Sequence, residues 1–113
     1  NPLTTVKLKH PVDVYEDPKG LHLELACTGL TKKDINLAIE GDVLRISYIN
    51  KNEQPPNREY YYSGIAKRSF NFGYKVINRF NLSKADAKME NGLLIISVPF
   101  SEETTTTKTI TIK

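Results

Sequence analysis

The sequence has few of the features that mark secreted disulfide proteins and membrane proteins. Cys27 is the one cysteine among the 113 residues, so no disulfide can form within the chain, which is compatible with a reducing compartment. No apolar run approaches the roughly 20 residues that span a membrane as a helix. We therefore expect a soluble, cytoplasmic protein without membrane partners, in which Cys27 packs as a small apolar residue.

The sequence also lacks the patterns of enzymes and nucleotide-binding proteins. It has no glycine-rich phosphate loop, no Walker pattern and no Ser-His-Asp order. His10 and His22 lie on different segments without a cysteine or second histidine at ligand spacing, so we expect both at the surface. We predict a protein that is not an enzyme and holds neither a cofactor nor a metal.

An excess of one charge is missing as well. The formal net charge is +3, and basic and acidic residues alternate along the chain instead of forming blocks. Blocks of like charge would indicate a polyanionic partner. Nucleic acid is therefore not the expected partner.

Short stretches of alternating apolar and polar residues recur along the chain. Apolar side chains share a face at positions 21, 23, 25 and 27, at 35, 37 and 39, and at 44, 46 and 48, and further strands are expected at 12–16, on the even-numbered face from 66 to 76, and at 93–98. No helix of substantial length is indicated. The pattern predicts an all-β fold, a single antiparallel β-sandwich of the immunoglobulin-like type.

Turn residues separate the predicted strands. Residues 40–42 and Asn91-Gly92 are suited to tight reversals. Ser83 is predicted to cap a single helical turn. Residues 50–58 are polar and include Pro55-Pro56, which deny backbone donors and predict a long inter-strand loop.

Five segments stand in an informative order along the chain. They are Pro11-Val12-Asp13-Val14-Tyr15-Glu16, Thr28-Gly29-Leu30-Thr31-Lys32-Lys33-Asp34-Ile35, Leu44-Arg45-Ile46-Ser47, Gly64-Ile65-Ala66-Lys67-Arg68-Ser69-Phe70, and residues 87–99. Together they resemble the α-crystallin domain of the small heat-shock proteins, over residues 11–112. The run at residues 62–68 is most similar to the bacterial inclusion-body-binding subclass.

Two positions depart from the family's pattern. The family usually has proline and glycine where this chain has Thr28-Gly29. The φ angle that proline would fix is therefore not fixed at Thr28. The family also tends to place an arginine between two aromatic residues on its seventh strand, and here Phe72 stands between Phe70 and Tyr74. A register with Arg68 in that role is the alternative and a poorer match, so the resemblance does not assign the dimer contacts of that arginine to this chain.

The resemblance implies an ATP-independent holdase, a chaperone that binds partly unfolded proteins and prevents their aggregation. The implied partners are unfolded clients, further copies of the chain in a dimer or larger oligomer, and ATP-driven chaperones that receive the clients. It also implies three parts: a residual amino-terminal arm at 1–10, an α-crystallin-type domain at 11–100, and a flexible carboxy-terminal extension at 101–113.

The resemblance further implies where proteins bind. It places a groove between the strand that carries Ile35, Leu37 and Ile39 and the strand around Ala87 and Met89. An edge groove left between two sheets offers apolar surface that can be covered reversibly. These five residues form the expected binding face.

Two isoleucines near the end of the chain match a tail motif of the same family. Ile110 and Ile112 flank one threonine, and in the family such a tail docks in the groove of a neighbouring subunit. Alternate residues of an extended segment point the same way, so the two side chains can fill adjacent pockets. A last strand paired within its own domain is the other interpretation of this segment.

The loop between residues 50 and 62 has a second implied role. In bacterial and plant relatives the corresponding loop carries a short strand that pairs with the partner subunit's edge. Tyr60, Tyr61 and Tyr62 are the candidate strand here, because aromatic side chains bring a large contact area. Ordinary packing of the three tyrosines within the chain is the competing interpretation.

Two other functions compete with the holdase. One is a co-chaperone-like β-sandwich module that docks on one specific partner. This function gives no reason for the isoleucine tail or the long loop. The other is a single-stranded nucleic-acid binder that stacks bases on residues 60–62 beside Arg58, Lys67 and Arg68. Three consecutive tyrosines alternate faces on a strand, which disfavours a flat stacking platform.

Overall fold

Seven strands in the described part of the chain form two antiparallel sheets. The computed structural model describes residues 9–51, 57–65, 67–102 and 109–113. The strands are β1 (Val12–Asp17), β2 (Gly20–Ala26), β3 (Asn36–Glu40), β4 (Val43–Tyr48), β5 (Phe70–Lys75), β6 (Asp86–Glu90) and β7 (Leu93–Pro99). Most of the predicted amino-terminal arm, residues 52–56 of the loop with Pro55-Pro56, Ala66, and most of the polar spacer lie outside the described residues.

The two sheets face each other across one core. One sheet has the strand order β1-β2-β7-β6 and the other β3-β4-β5. All neighbouring strands are antiparallel, and the helical content of the described residues is one 3-10 turn at Leu82–Lys84. The predicted all-β antiparallel sandwich is confirmed.

The core is built by the alternation that the sequence predicts. The buried side chains come from β2 and the residue after it, from β4 and β7, and from the segment between β5 and β6: Leu21, Leu23, Leu25, Cys27, Leu44, Ile46, Val76, Phe80, Leu82, Leu94, Ile96 and Val98. Burying each large aliphatic side chain contributes about 1.5 to 3 kcal/mol. Burial also raises the pKa of the Cys27 thiol, as expected for a packing residue.

Tight turns join the paired strands where the sequence predicts them. Asn91 and Gly92 have φ angles of 54° and 76°, the left-handed values that a two-residue hairpin between β6 and β7 requires. Gly41, with φ at 63°, begins the reversal between β3 and β4. These turns fix the register of both hairpins.

The segment just after β7 packs against the connection between β5 and β6. The Phe100 ring stacks on the Phe80 ring at 5.4 Å between centroids. The backbone N–H of Ser101 donates to the Arg79 carbonyl at 2.9 Å, and the Ser101 hydroxyl donates to the Asn78 carbonyl at 2.7 Å. The sandwich therefore extends to Ser101.

The expectation of two surface histidines is wrong for His22. Its ring is buried, stacks on Tyr15 at 5.0 Å, and hydrogen-bonds both Ser97 Oγ, at 3.0 Å from Nδ1, and Asp17 Oδ1, at 2.7 Å from Nε2. His10 is half-buried. The pairing of β2 with β1 and β7 places Tyr15 and Ser97 beside His22. The local periodicity of the sequence does not reveal this pairing.

Two local predictions also differ from the structure. Asn81, not Ser83, caps the 3-10 turn, because the Asn81 side chain accepts from the Ser83 backbone N–H at 3.2 Å. The strand expected from residue 66 begins at Phe70 as β5. The predicted apolar face of β5 is present, since Phe70 and Phe72 pack against the core.

Candidate protein-binding groove

An apolar groove runs along the open side of the sandwich between β3 and β6. These strands are edges of different sheets, so no backbone closes the gap between them. The groove has a volume of about 220 Å³. Its lining consists of Leu37, Ala38 and Ile39 from β3, Asp86 and Ala87 from β6, Ala85 before β6, and Leu44 and Ile96 beneath.

Strand register explains why the walls of the groove stand above the core. Leu37 lies opposite Ile46 and Ile39 opposite Leu44, so both wall residues are on the core-facing side of their sheet. No further strand covers them among the described residues, and Leu37 and Ile39 remain 40% and 51% exposed. On the other wall, Ala87 lies opposite the buried Ile96. An edge strand with exposed apolar side chains is a surface suited to a partner.

The five sequence-predicted groove residues separate into two groups. Leu37, Ile39 and Ala87 line the groove. Ile35 precedes β3, and Met89 lies opposite Leu94 towards the hairpin turn; both are half-buried against the core and outside the lining. The sequence interpretation did not name the floor residues Leu44 and Ile96 as part of the groove. Alternation in β4 marks Leu44 as inward-facing, whereas residues 93–96 of β7 are all apolar and do not show which face Ile96 occupies.

The groove carries little charge. Asp86 is its one ionisable lining residue. Lys88, next along β6, bonds the Glu90 carboxylate at 2.9 Å, and this contact raises the pKa of Lys88. Because successive side chains alternate across a strand, Lys88 points away from the side that Ala87 occupies. The lining of the groove is therefore almost entirely apolar.

The isoleucine tail is exposed in the single chain. Ile110 and Ile112 are 82% and 93% exposed and belong to no strand of the described structure. The interpretation of this segment as a last strand of its own domain is therefore wrong. After the end of β7, Glu102 Oε1 lies 3.6 Å from Lys84 Nζ, and Lys84 directly precedes the groove-lining residue Ala85.

The three consecutive tyrosines are also outside the strands. Tyr60, Tyr61 and Tyr62 are exposed, and Tyr60 accepts a hydrogen bond from Arg58 Nη1 at 3.3 Å. They form neither a strand within the chain nor part of the core. Their exposure leaves a large aromatic surface available to another molecule.

A hydrogen-bonded Asp17-His22-Ser97 chain lies on the outer face of the larger sheet. Its order matches that of hydrolase triads, but Ser97 is in the middle of β7 with β2 and β6 on either side. Its backbone is therefore part of the sheet ladder and does not present the N–H donors that an oxyanion requires. These hydrogen bonds satisfy both ring nitrogens of the buried His22 and fix the β1–β2 turn.

Metal clusters and membrane-spanning helices are both missing from the described residues. They contain no group of three or more His, Cys, Asp or Glu side chains placed to hold a metal ion. No helix in the described part of the chain is long and apolar enough to cross a membrane.

Comparison with known proteins identifies the family. The Hsp20/alpha crystallin family model matches residues 13–113, and the chain belongs to this family. The small heat shock protein C2 of Rickettsia felis is 31% identical over 102 residues, which cover 85% of this chain and 63% of that protein. The small heat shock protein IbpA of Serratia proteamaculans is 29% identical over 82 residues, covering 73% and 58%. The chain thus spans less than two thirds of either relative.

A solved structure shares the fold. The small heat-shock protein from Xylella fastidiosa superposes with a TM-score of 0.72 at 24% identity, covering 96% of this chain and 99% of that one. The sequence-based recognition of a small heat-shock protein is confirmed.

Proposed function

We propose that this chain is an ATP-independent holdase that binds partly unfolded proteins and keeps them from aggregating until ATP-driven chaperones receive them. One observation supports this most: an apolar groove lies open between two sheet edges, and the same chain carries an exposed tail with two isoleucines. A surface that is apolar, accessible and reversibly covered is what a holdase needs.

The tail and the groove have matching spacing. Ile110 and Ile112 are two residues apart, as are Leu37 and Ile39 along the groove wall. In extended chains this spacing is about 7 Å. Each isoleucine that is buried contributes about 1.5 to 3 kcal/mol before ordering costs, so one tail binds weakly and several in an oligomer bind by avidity. Weak individual contacts allow a client to displace the tail.

The tail is proposed to dock in the groove of a neighbouring copy. Support comes from its exposure in the single chain, where neither isoleucine is seated in its own groove. We further propose that Tyr60, Tyr61 and Tyr62 pair with the edge of a second copy. β1 is an outer strand of the larger sheet, with no strand beyond it in the described residues, and offers such an edge.

Molar mass in solution tests the assembly. We expect the full chain to form dimers or larger species, and Ile110→Ser with Ile112→Ser to shift them to smaller ones at the same concentration. Ile77→Ser is the matched control, because Ile77 is exposed and outside the groove. A monomer at all concentrations would contradict the proposal and favour a module that docks on one partner.

Light scattering of a heat-aggregating client, without ATP, tests the activity. We expect the full chain to suppress scattering, Ile39→Asp to abolish most of the suppression, and the control Ile77→Asp to preserve it. The Ile39→Asp chain keeps its tail but has an altered groove, and the tail double variant keeps its groove but has an altered tail. A mixture of the two therefore tests whether the tail of one copy docks in the groove of another. Co-assembly in that mixture indicates docking between copies, and its absence contradicts it.

A further inference from the structure

A second and larger cleft lies at the opposite side of the sandwich. It has a volume of about 920 Å³, within the range of ligand-binding clefts. It lies between the edge strand β5, with the residues just before it, and the end of β2. Its lining consists of Lys9, His10, Pro11, Ala26, Cys27, Thr28, Leu30, Lys67, Arg68, Ser69, Phe70, Asn71 and Phe72.

The floor of this cleft is apolar. Cys27 is 1% exposed, and Leu30, Phe70 and Phe72 are half-buried against the core. The Phe70 and Phe72 rings are 6.1 Å apart. The two rings give an extended aromatic surface that an aliphatic or aromatic side chain can cover.

The rim of the cleft is cationic. Lys9, Lys67 and Arg68 line it, and none of the lining residues is Asp or Glu. The ion pairs found among the described residues do not include these three cations. Because the whole chain carries 16 basic and 13 acidic residues, this one-sided rim is a local feature. It attracts negative charge.

Several contacts fix the shape of the cleft. His10 Nε2 lies 2.7 Å from the Ala26 carbonyl, and its ring is 4.2 Å from the Phe70 ring, which joins the two sheets at this end. The Asn50 side chain donates to the Lys67 carbonyl at 2.6 Å. Lys67 lies so close over Gly29 that a Cβ there would be 2.7 Å from Lys67 Cε. The Asn50 bond thereby holds the backbone of Lys67 beside the cleft.

We propose that this cleft binds extended segments of unfolded proteins in which aromatic or aliphatic residues alternate with Asp or Glu. The apolar side chains cover the two phenylalanines, and the carboxylates face the cationic rim. The inference rests on the holdase function for the nature of its partner and adds a preference for acidic clients. The apolar groove between β3 and β6 has no such preference.

Fluorescence anisotropy of labelled peptides on the full chain tests this inference. The first peptide alternates Phe or Leu with Glu, the second has Lys in place of Glu, and the third has Ser in place of Phe and Leu. We expect the first to bind more tightly than both others, and added salt to weaken it. Equal binding of the Glu and Lys peptides would overturn the inference.

Charge reversal locates the site. Lys67→Glu with Arg68→Glu is expected to weaken the acidic peptide about 2- to 30-fold, as two exposed ion pairs predict. Lys19→Glu with Lys84→Glu makes the same change in net charge outside the cleft and is expected to leave binding within twofold of the unmodified chain. Equal losses in both double variants would overturn the inference.

Two further arms distinguish a peptide-binding cleft from the β3–β6 groove and from a small-molecule site. Ile39→Asp is expected to leave acidic-peptide binding intact even where aggregation suppression is lost, so failure of either proposal is recognised independently. Dodecanoate is the probe for a small-molecule site. Binding of dodecanoate without binding of the acidic peptide would indicate a small-molecule site and contradict the inference. Loss of self-association in the Lys67→Glu, Arg68→Glu variant alone would indicate an interface between copies and would also contradict it.

Discussion

Gly20 shows how one residue allows β2 to pair closely with β7. Its φ angle is 139°, a conformation that L side chains rarely adopt. A Cβ at this position would lie 2.2 Å from the carbonyl oxygen of Val98. Gly41 also has a positive φ, at 63°, but nothing lies within 4 Å of the point that a Cβ would occupy there. Substitution of Gly41 therefore adds backbone strain alone, whereas substitution of Gly20 adds backbone strain and a steric clash.

Replacing each glycine by alanine should have unequal costs. We expect Gly41→Ala to lower the free energy of unfolding by about 1 kcal/mol, the cost of a left-handed alanine. Gly20→Ala should lower it by about 3 kcal/mol or more, because the obstructing atom is backbone and cannot rotate away. Urea unfolding of both variants measures this difference. Equal losses would show that β2 and β7 adjust to the added atom.

Residue burial could be predicted from the sequence only where alternation determines it. Leu23 and Leu25 lie on the core face as their two-residue period predicts. His22 has the opposite phase and yet is buried, because Tyr15 and Ser97 are brought over it by two different strand pairings. Long-range pairing is not encoded in a local period, so this burial could not be derived.

At the scale of elements, the β1–β2 turn depends on the contact between Asp17 and His22. Two hydrogen bonds hold the pKa of the Asp17 carboxyl below its ordinary value of 3.8. The bond to His22 Nε2 has the larger effect, and the bond from the backbone N–H of Lys19 has the next largest. Stability from a lowered acid pKa is fully present above the unfolded value and is lost as the pH falls through the folded value. The turn therefore loses this support in acid.

Asp17→Asn should reduce the acid sensitivity of the fold. We expect the loss of stability of the unmodified chain to steepen below pH 3.8 and that of Asp17→Asn to be flatter in the same range, because the variant carboxamide does not titrate. Urea unfolding at a series of pH values measures both slopes. Asp42→Asn, away from His22, is the control, and a slope that changes equally in both variants would contradict the contact's role.

The groove illustrates which elements the sequence indicates and which it hides. Alternation gives β3, and the Asn91-Gly92 turn with the apolar run after it gives β7. The family resemblance gives the strand β6 and points to Leu37, Ile39 and Ala87 as walls. Alternation assigns the floor residue Leu44 to the core alone, and the apolar run of β7 does not distinguish the faces of Ile95 and Ile96. Neither pattern shows where the two sheets separate. The separation is a property of sheet packing, which only the structure gives.

At the scale of the whole molecule, the end of the sandwich can be distinguished from the tail. The Phe80–Phe100 stack and the Ser101 hydrogen bonds belong to the folded body, whereas Ile110 and Ile112 are exposed. The family resemblance predicts a boundary at residue 100. The Phe100 stack and the Ser101 hydrogen bonds lie at this boundary, and a local sequence pattern does not reveal them because they are long-range contacts.

Two truncations test this division. A chain that ends at Glu102 should unfold with the same free energy as the full chain when both are monomeric at high dilution. A chain that ends at Pro99 should be less stable by about 1 to 3 kcal/mol, because it loses a half-buried aromatic ring and its stack. Denaturant unfolding measures both. A large loss on ending at Glu102 would place the tail within the folded body.

The groove between β3 and β6 has consequences for how related chains diverge. Its floor, Leu44 and Ile96, is 1% and 0% exposed and is shared with the core, so evolutionary change there costs stability. Its walls at Leu37, Ile39 and Ala87 are largely uncovered and are free to vary in size. Under the proposed docking of tails in this groove, paralogues in one cell can acquire separate tail specificities through these three positions while the fold itself is unchanged.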